Sequence, residues 1–327
     1  MEKKTHLTKV STEDFNLVEE SLKAFGDDFP SFFSELKSKY LKNDLADIYS
    51  KLFKKIRNVD FLDALIREID ALRHKQNLDD LLDFLLEFDK NSVNEEDFGA
   101  YVNLRVICLK AISNYKDIKS ITPVLYCLNN KNEHYKTRLA AAEALGKIGD
   151  KNAVESLINI VSDEEEKSVY VRESAAMALG MIGDMRALDP FLSILETKKN
   201  FLNKFTFLKE RVIEAIGKFS IPHNKRVFLA LKEALLDDSP QVRLNAVESL
   251  MNLELEDGSF GAAELIKNML HDGDEEVARN SVTALYNLSG EEVLKEILED
   301  DNMPYYCKDE AQNILESEAL EEVDEQS

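Results

Sequence analysis

Tryptophan is absent from this chain of 327 residues, and cysteine (3), proline (6) and glycine (11) are scarce. Three cysteines, an odd number, cannot form a disulfide framework, so Cys108, Cys127 and Cys307 are read as reduced, buried thiols of a cytoplasmic protein. Scarcity of glycine and proline argues against turn-rich sheets and for long helices. No apolar run reaches the ~18 residues that a bilayer span needs. The opening Met1-Glu-Lys-Lys-Thr-His carries no apolar signal core, so secretion is not expected. Positive charge is also short: 41 Lys and Arg against 63 Asp and Glu leave a net charge of −22. Such a surface releases few counterions from a phosphate backbone, which disfavours nucleic acid, and it is repelled by an anionic membrane. A protein partner with a basic segment is the natural complement.

What the chain has in abundance is repetition. Arg138-Leu-Ala-Ala-Ala-Glu-Ala-Leu-Gly-Lys-Ile-Gly-Asp150 returns as Arg172-Glu-Ser-Ala-Ala-Met-Ala-Leu-Gly-Met-Ile-Gly-Asp184. Further copies start at Arg105, Lys209, Arg243, Ala278 and Lys308, at successive spacings of 33, 34, 37, 34, 35 and 30 residues. A fixed period of this size marks stacked supersecondary units rather than one closed core. From each starting position, offsets 3, 4, 6, 7 and 10 are mostly apolar, a helical stripe rich in small residues that lets neighbouring helices approach closely. Gly149 and Gly183 sit where a helix must stop, Asp150 and Asp184 follow as caps, and the Gly-x-x-Gly spacing from Gly146 and Gly180 reads as part of the same stop signal. Each unit is therefore expected to be two antiparallel helices joined by short turns.

The Val171-Arg172 and Val242-Arg243 openings and the Ala-Leu-Gly-x-Ile-Gly-Asp close resemble HEAT repeats, specifically the short bacterial variety of phycobilin lyases, over about Leu62 to Leu315. The resemblance implies an all-α, right-handed α-solenoid of about seven to eight helical hairpins, with the second helix of each pair lining a concave face. It also implies a structural ladder of Arg105, Arg138, Arg172, Lys209, Arg243 and Lys308 pairing with turn acids, of which Asp117, Asp150, Asp184, Asp238 and Asp272 are candidates. Ala278 interrupts the ladder, and Ile221 and Leu255 replace the closing Asp.

Upstream the pattern fades while the helical signal continues, as terminal units covering an apolar end require. Residues 1–58 are expected to form an N-terminal helical cap, 59–316 the repeats and 317–327 a disordered acidic tail, with 91–97 and 197–203 as longer loops. From Glu291 to Ser327 there are 14 acids and 2 lysines.

No catalytic constellation emerges, and neither an enzyme, a cofactor nor a metal site is expected. Deoxyhypusine hydroxylases, built on similar repeats, rely on His-Glu pairs; here His134 precedes Tyr, His223 precedes Asn and His271 precedes Asp. Two columns, at offsets 5 and 9 of each copy, point away from the apolar stripe. They are polar except at Met177 and Met181, one turn apart, where an adaptable apolar contact is possible. The expected partner-binding set is Glu143, Lys147, Met177, Met181, Glu214, Lys218, Glu248 and Asn252. A non-enzymatic interaction scaffold is the first functional expectation. The alternative is a phycobilin-lyase-type chromophore handler or assembly chaperone.

Overall fold

The computed structural model describes residues 10–87, 95–196, 206–219, 224–253 and 261–325, and their regular elements are helices. They are α1 (Thr12–Phe25), α2 (Phe29–Lys39), α3 (Lys42–Lys55), α4 (Val59–Leu72), α5 (Lys75–Glu87), α6 (Glu95–Tyr115), α7 (Ile121–Asn129), α8 (Tyr135–Ile148) and α9 (Val154–Ser162). They continue as α10 (Val169–Ile182), α11 (Leu188–Glu196), α12 (Thr206–Gly217), α13 (Lys225–Ala234), α14 (Pro240–Met251), α15 (Ala262–Asn268), α16 (Glu275–Ser289), α17 (Glu292–Glu299) and α18 (Tyr305–Glu325). None is long and apolar enough to cross a membrane among the described residues. The chain divides into two compact units, Met1–Leu157 and Ile158–Ser327.

In the first unit α2, α4, α6 and α8 pack one upon the next, and α3, α5 and α7 form a second layer against them. The repeat packing thus reaches upstream of its sequence pattern: residues of the expected cap take the same two layers. Alanines fill the core of α8, where Ala140, Ala141, Ala142 and Ala144 are all buried. Near the N-terminus aromatics fill it instead. Phe33 packs edge-on to Tyr49 at 5.7 Å between ring centres and lies 5.6 Å from Phe61, while Phe53 meets Phe84 at 5.6 Å. Such offset and edge-on contacts are the favoured aromatic geometries.

In the second unit α10, α12, α14, α16 and α18 form the continuous layer, with α11, α13, α15 and α17 behind. Two glycines set its spacing. A Cβ on Gly180 would stand 2.8 Å from Ala215 Cβ and 3.0 Å from its Cα, so α10 and α12 touch backbone to backbone. A Cβ on Gly217 would stand 2.9 Å from Ser249 Cβ, and the Ser249 hydroxyl donates to the Ile213 carbonyl at 3.0 Å across the same seam. Gly180 therefore serves close approach rather than helix termination. The stops are Gly149 and Gly183, both left-handed (φ 79° and 68°), a conformation that a Cβ would penalise.

Two expectations about irregular segments change. Helix α6 begins at Glu95, so the loop expected over 91–97 is helical from there on, and residues 91–94 lie outside the described set. The acidic stretch expected to be disordered is helical through Glu325, because α18 runs on from a first half anchored by buried Cys307 and Ala311. The loop expected over 197–203 lies outside the described residues.

Candidate functional site

The basic ladder lies on α6 and α8 in the first unit and on α10, α12 and α14 in the second, and the expected binding columns fall on the same helices. Three ladder arginines, Arg105, Arg138 and Arg172, satisfy carbonyls at the end of the helix before them. Such carbonyls have no intrahelical donor and form the negative end of the helix dipole. Arg105 Nη1 donates to the Leu85 carbonyl at 2.7 Å, Arg138 Nε to Leu128 at 2.9 Å and Arg172 Nε to Val161 at 2.9 Å. The ladder then reaches forward to an acid. Arg105 pairs with Glu133 at 2.7 Å, Lys209 pairs with Asp237, and Arg243 clamps Asp272 through two bonds of 2.6 and 2.8 Å.

The forward partners fall 28 or 29 residues on, at the turn before the next ladder helix. They are Glu133 and Asp237 rather than Asp117 and Asp238; Asp272 is as the family resemblance implies. Asp117, Asp150 and Asp184 cap short 3-10 turns instead, accepting from the backbone N–H two residues on at 2.8 to 3.0 Å. Asp184 also takes Arg186 Nε at 2.9 Å. Around Asp272, partial burial opposes ionisation, but the Arg243 guanidinium and the Asp274 N–H outweigh it and lower the carboxyl's pKa.

In the first unit, Glu143 and Lys147 are exposed on α8. Lys147 is engaged: its ammonium donates to Asn114 Oδ1, and Asn114 Nδ2 donates to Asp70 at 2.7 Å, a polar rung across α8, α6 and α4.

The second unit presents a graded face. On α10, Tyr170, Met177 and Met181 are exposed at 57%, 36% and 53%, and on α12 Phe207 is exposed at 65%. Their spacing along each helix puts them on one side. Next along α12, Glu214 accepts from Arg211 Nη1 at 2.6 Å and from Lys218 Nζ at 2.7 Å. Partial desolvation raises the Glu214 pKa, and the two cations more than reverse this, so it is lowered overall.

On α14 the balance is opposite. Partial desolvation raises the Glu248 pKa, and the carboxylates of Glu214 and Glu276 push it further in the same direction. No hydrogen bond or ion pair meets the Glu248 or Glu276 carboxylate among the described residues. Asn252 is exposed one turn beyond Glu248. Of the expected binding set, the structure therefore brings Met177, Met181, Glu214, Lys218, Glu248 and Asn252 onto one face. The distinction between a satisfied Glu214 and an uncompensated Glu248 was invisible in the sequence, where both occupy offset 5. The exposed aromatics Tyr170 and Phe207, two positions before their ladder cations, were overlooked, although their shared offset was there to be read.

Other chemistry is sparse. The cysteines are free and buried. Among the described residues no group of three or more His, Cys, Asp or Glu side chains could share a metal ion. A hollow of about 370 Å³ between Glu275, Glu276, Arg279, Asn280, Thr283 and Glu310 is open to solvent, and its one cation is already bound to Glu275, Asp309 and Glu310.

No curated protein matches the chain in sequence. Among solved structures, it is similar to human deoxyhypusine hydroxylase in complex with glycerol (16% identity, 84% of this chain and 96% of that one, TM-score 0.35). It is also similar to the CpcE–CpcF complex of phycocyanin lyase from Nostoc (21% identity, 68% and 81%, TM-score 0.48). A third likeness is to computationally designed armadillo repeat proteins for modular peptide recognition (16% identity, 64% and 99%, TM-score 0.42). Residues 121–207 match the family described as HEAT repeats. That span holds the Arg138 and Arg172 rungs and the αL glycines described above.

Proposed function

We propose that this chain is a non-enzymatic scaffold that holds an extended, basic segment of a partner protein on the face formed by α10, α12, α14 and α16. The observation that carries the reading is the juxtaposition on that face of exposed Met177 and Met181 with Glu248, a carboxylate that meets no cation among the described residues. Methionines adapt to apolar side chains of varied shape and suit a surface that grips without a rigid pocket. An uncompensated carboxylate is an attractive seat for an incoming ammonium or guanidinium, because the like charges of Glu214 and Glu276 are relieved at the same time. The net charge of −22 adds long-range attraction for a basic chain. Free, buried cysteines fit a cytoplasmic setting.

The test is selection of binders from a display library of random peptides, followed by competition. Enriched peptides should combine basic and apolar residues. They should lose binding to Met177→Lys/Met181→Lys and keep it to Leu229→Glu, a change at an exposed leucine of α13 on the opposite layer. Enriched peptides indifferent to the methionine changes reject the face.

A further inference from the structure

Resting on that docking reading, we propose that the face measures its ligand, holding one apolar side chain against Met177 and one cationic side chain at Glu248, with about five residues from one to the other. Met177 and Glu248 stand at the same offset, five residues after Arg172 and Arg243. The two seams between them are built alike. Gly180 meets Ala215, and Gly217 meets Ser249, so offset 8 of one repeat faces offset 6 of the next both times. Each seam thus displaces equal offsets by two positions, ~3 Å along the helix, so the two side chains lie two helix steps apart and ~6 Å apart in height.

Backbone contact at both seams sets each step near the short end of helix spacings, ~8 Å, or ~16 Å across, and with the ~6 Å difference in height the separation is ~17 Å. An extended chain advances ~3.3 Å per residue, so ~17 Å corresponds to about five residues. The intervening helix does not shorten the ruler. Its offset-5 residue, Glu214, is already held by Arg211 and Lys218 and offers a bound cation little. Asn252 beside Glu248 and Asn287 on α16 supply amides for the backbone of the segment. Among the described residues, Asn287 Nδ2 has the Met251 sulfur, at 3.3 Å, as a partner to exchange.

The experiment uses the full chain and fluorescein-labelled peptides in a Ser/Gly host, each with one Leu and one Arg at separations from two to eight, read by fluorescence anisotropy. The expected result is an affinity optimum at separations of four to six. Glu248→Gln should weaken the optimal peptide by about threefold, the scale of a partly exposed ion pair, and leave a Leu-only peptide unchanged. Met177→Ser should weaken the Leu-only peptide and leave an Arg-only peptide unchanged. A flat dependence on separation, or a Glu248→Gln chain that binds all peptides as before, overturns the ruler. So does a series that fails to bind while display-selected peptides bind the same face. None of these outcomes touches the docking reading, which falls only if selected peptides ignore the face.

Discussion

Replacing Gly180 by alanine places a methyl where α10 and α12 already touch. The new Cβ would lie 2.8 Å from Ala215 Cβ and 3.0 Å from its Cα. Ordinary carbon contacts need ~3.5–4.0 Å, so the helices must part locally by ~1 Å. Overpacking of this kind costs about 1–3 kcal/mol. Against it stands the better helix propensity of alanine, ~1 kcal/mol. The expected net loss is about 1 kcal/mol, with the sign fixed by a neighbour that is backbone and cannot rotate away. Ala215→Gly alone should cost about 2 kcal/mol, from propensity and one lost buried methyl. The double variant moves the methyl from one helix to the other and should return close to the parent, giving a coupling of about −3 kcal/mol. Gly99→Ala is the control: it is exposed in α6 with nothing near the added methyl, and it should stabilise by about 0.5–1 kcal/mol. Urea unfolding followed by far-ultraviolet circular dichroism measures all four. A Gly180→Ala chain stabilised as much as Gly99→Ala, or singles that simply add, would refute the contact and the helix spacing drawn from it.

Three further outcomes follow from the charges and thiols. Asp272 has a folded pKa below its ordinary 3.8, so its contribution to stability is present above 3.8 and is lost as pH falls through the folded value; Asp272→Asn should flatten that acid limb of the stability curve. Glu248 has a folded pKa above its ordinary 4.5, so it costs stability once pH rises through the folded value and costs nothing well below 4.5. Glu248→Gln should therefore stabilise the unliganded chain at pH 7 by a few tenths of a kcal/mol, since solvent screens so exposed a group; a loss there argues against the like-charge environment. Burial pushes Cys127 and Cys307 up to about 11 and raises Cys108 as well, so a thiol reagent at pH 8 should titrate no cysteine in the folded chain and all three in denaturant. A fast-reacting native thiol would contradict their burial.

The helices were legible wherever periodic alanines and leucines met a stop glycine, as in α8 and α10. They were legible as helices, though not as repeats, where Phe33, Tyr49 and Phe61 replace the small residues, because the packing is shared while the side chains that fill it are not. Sequence spacing pointed to Arg105, Arg138, Arg172, Lys209 and Arg243, whose bonds are described above. It missed their principal acceptors, since a carbonyl such as Leu128 leaves no mark in a residue pattern. The offset-5 and offset-9 columns were legible as columns. Their energetics were not: Glu214 and Glu248 differ only through Arg211, Lys218 and Glu276, neighbours set by folding and not by offset.

Asp237 holds Lys209 with its side chain while its own carbonyl receives Arg243 at 2.9 Å. One residue thus pins two successive hairpins, and neither can swing open without freeing a charge belonging to the other. Melting of this stretch therefore proceeds like a zip whose teeth are shared: amide exchange in α12 and α14 is expected to report a single opening event, and severing the Asp237 side chain should split it into two.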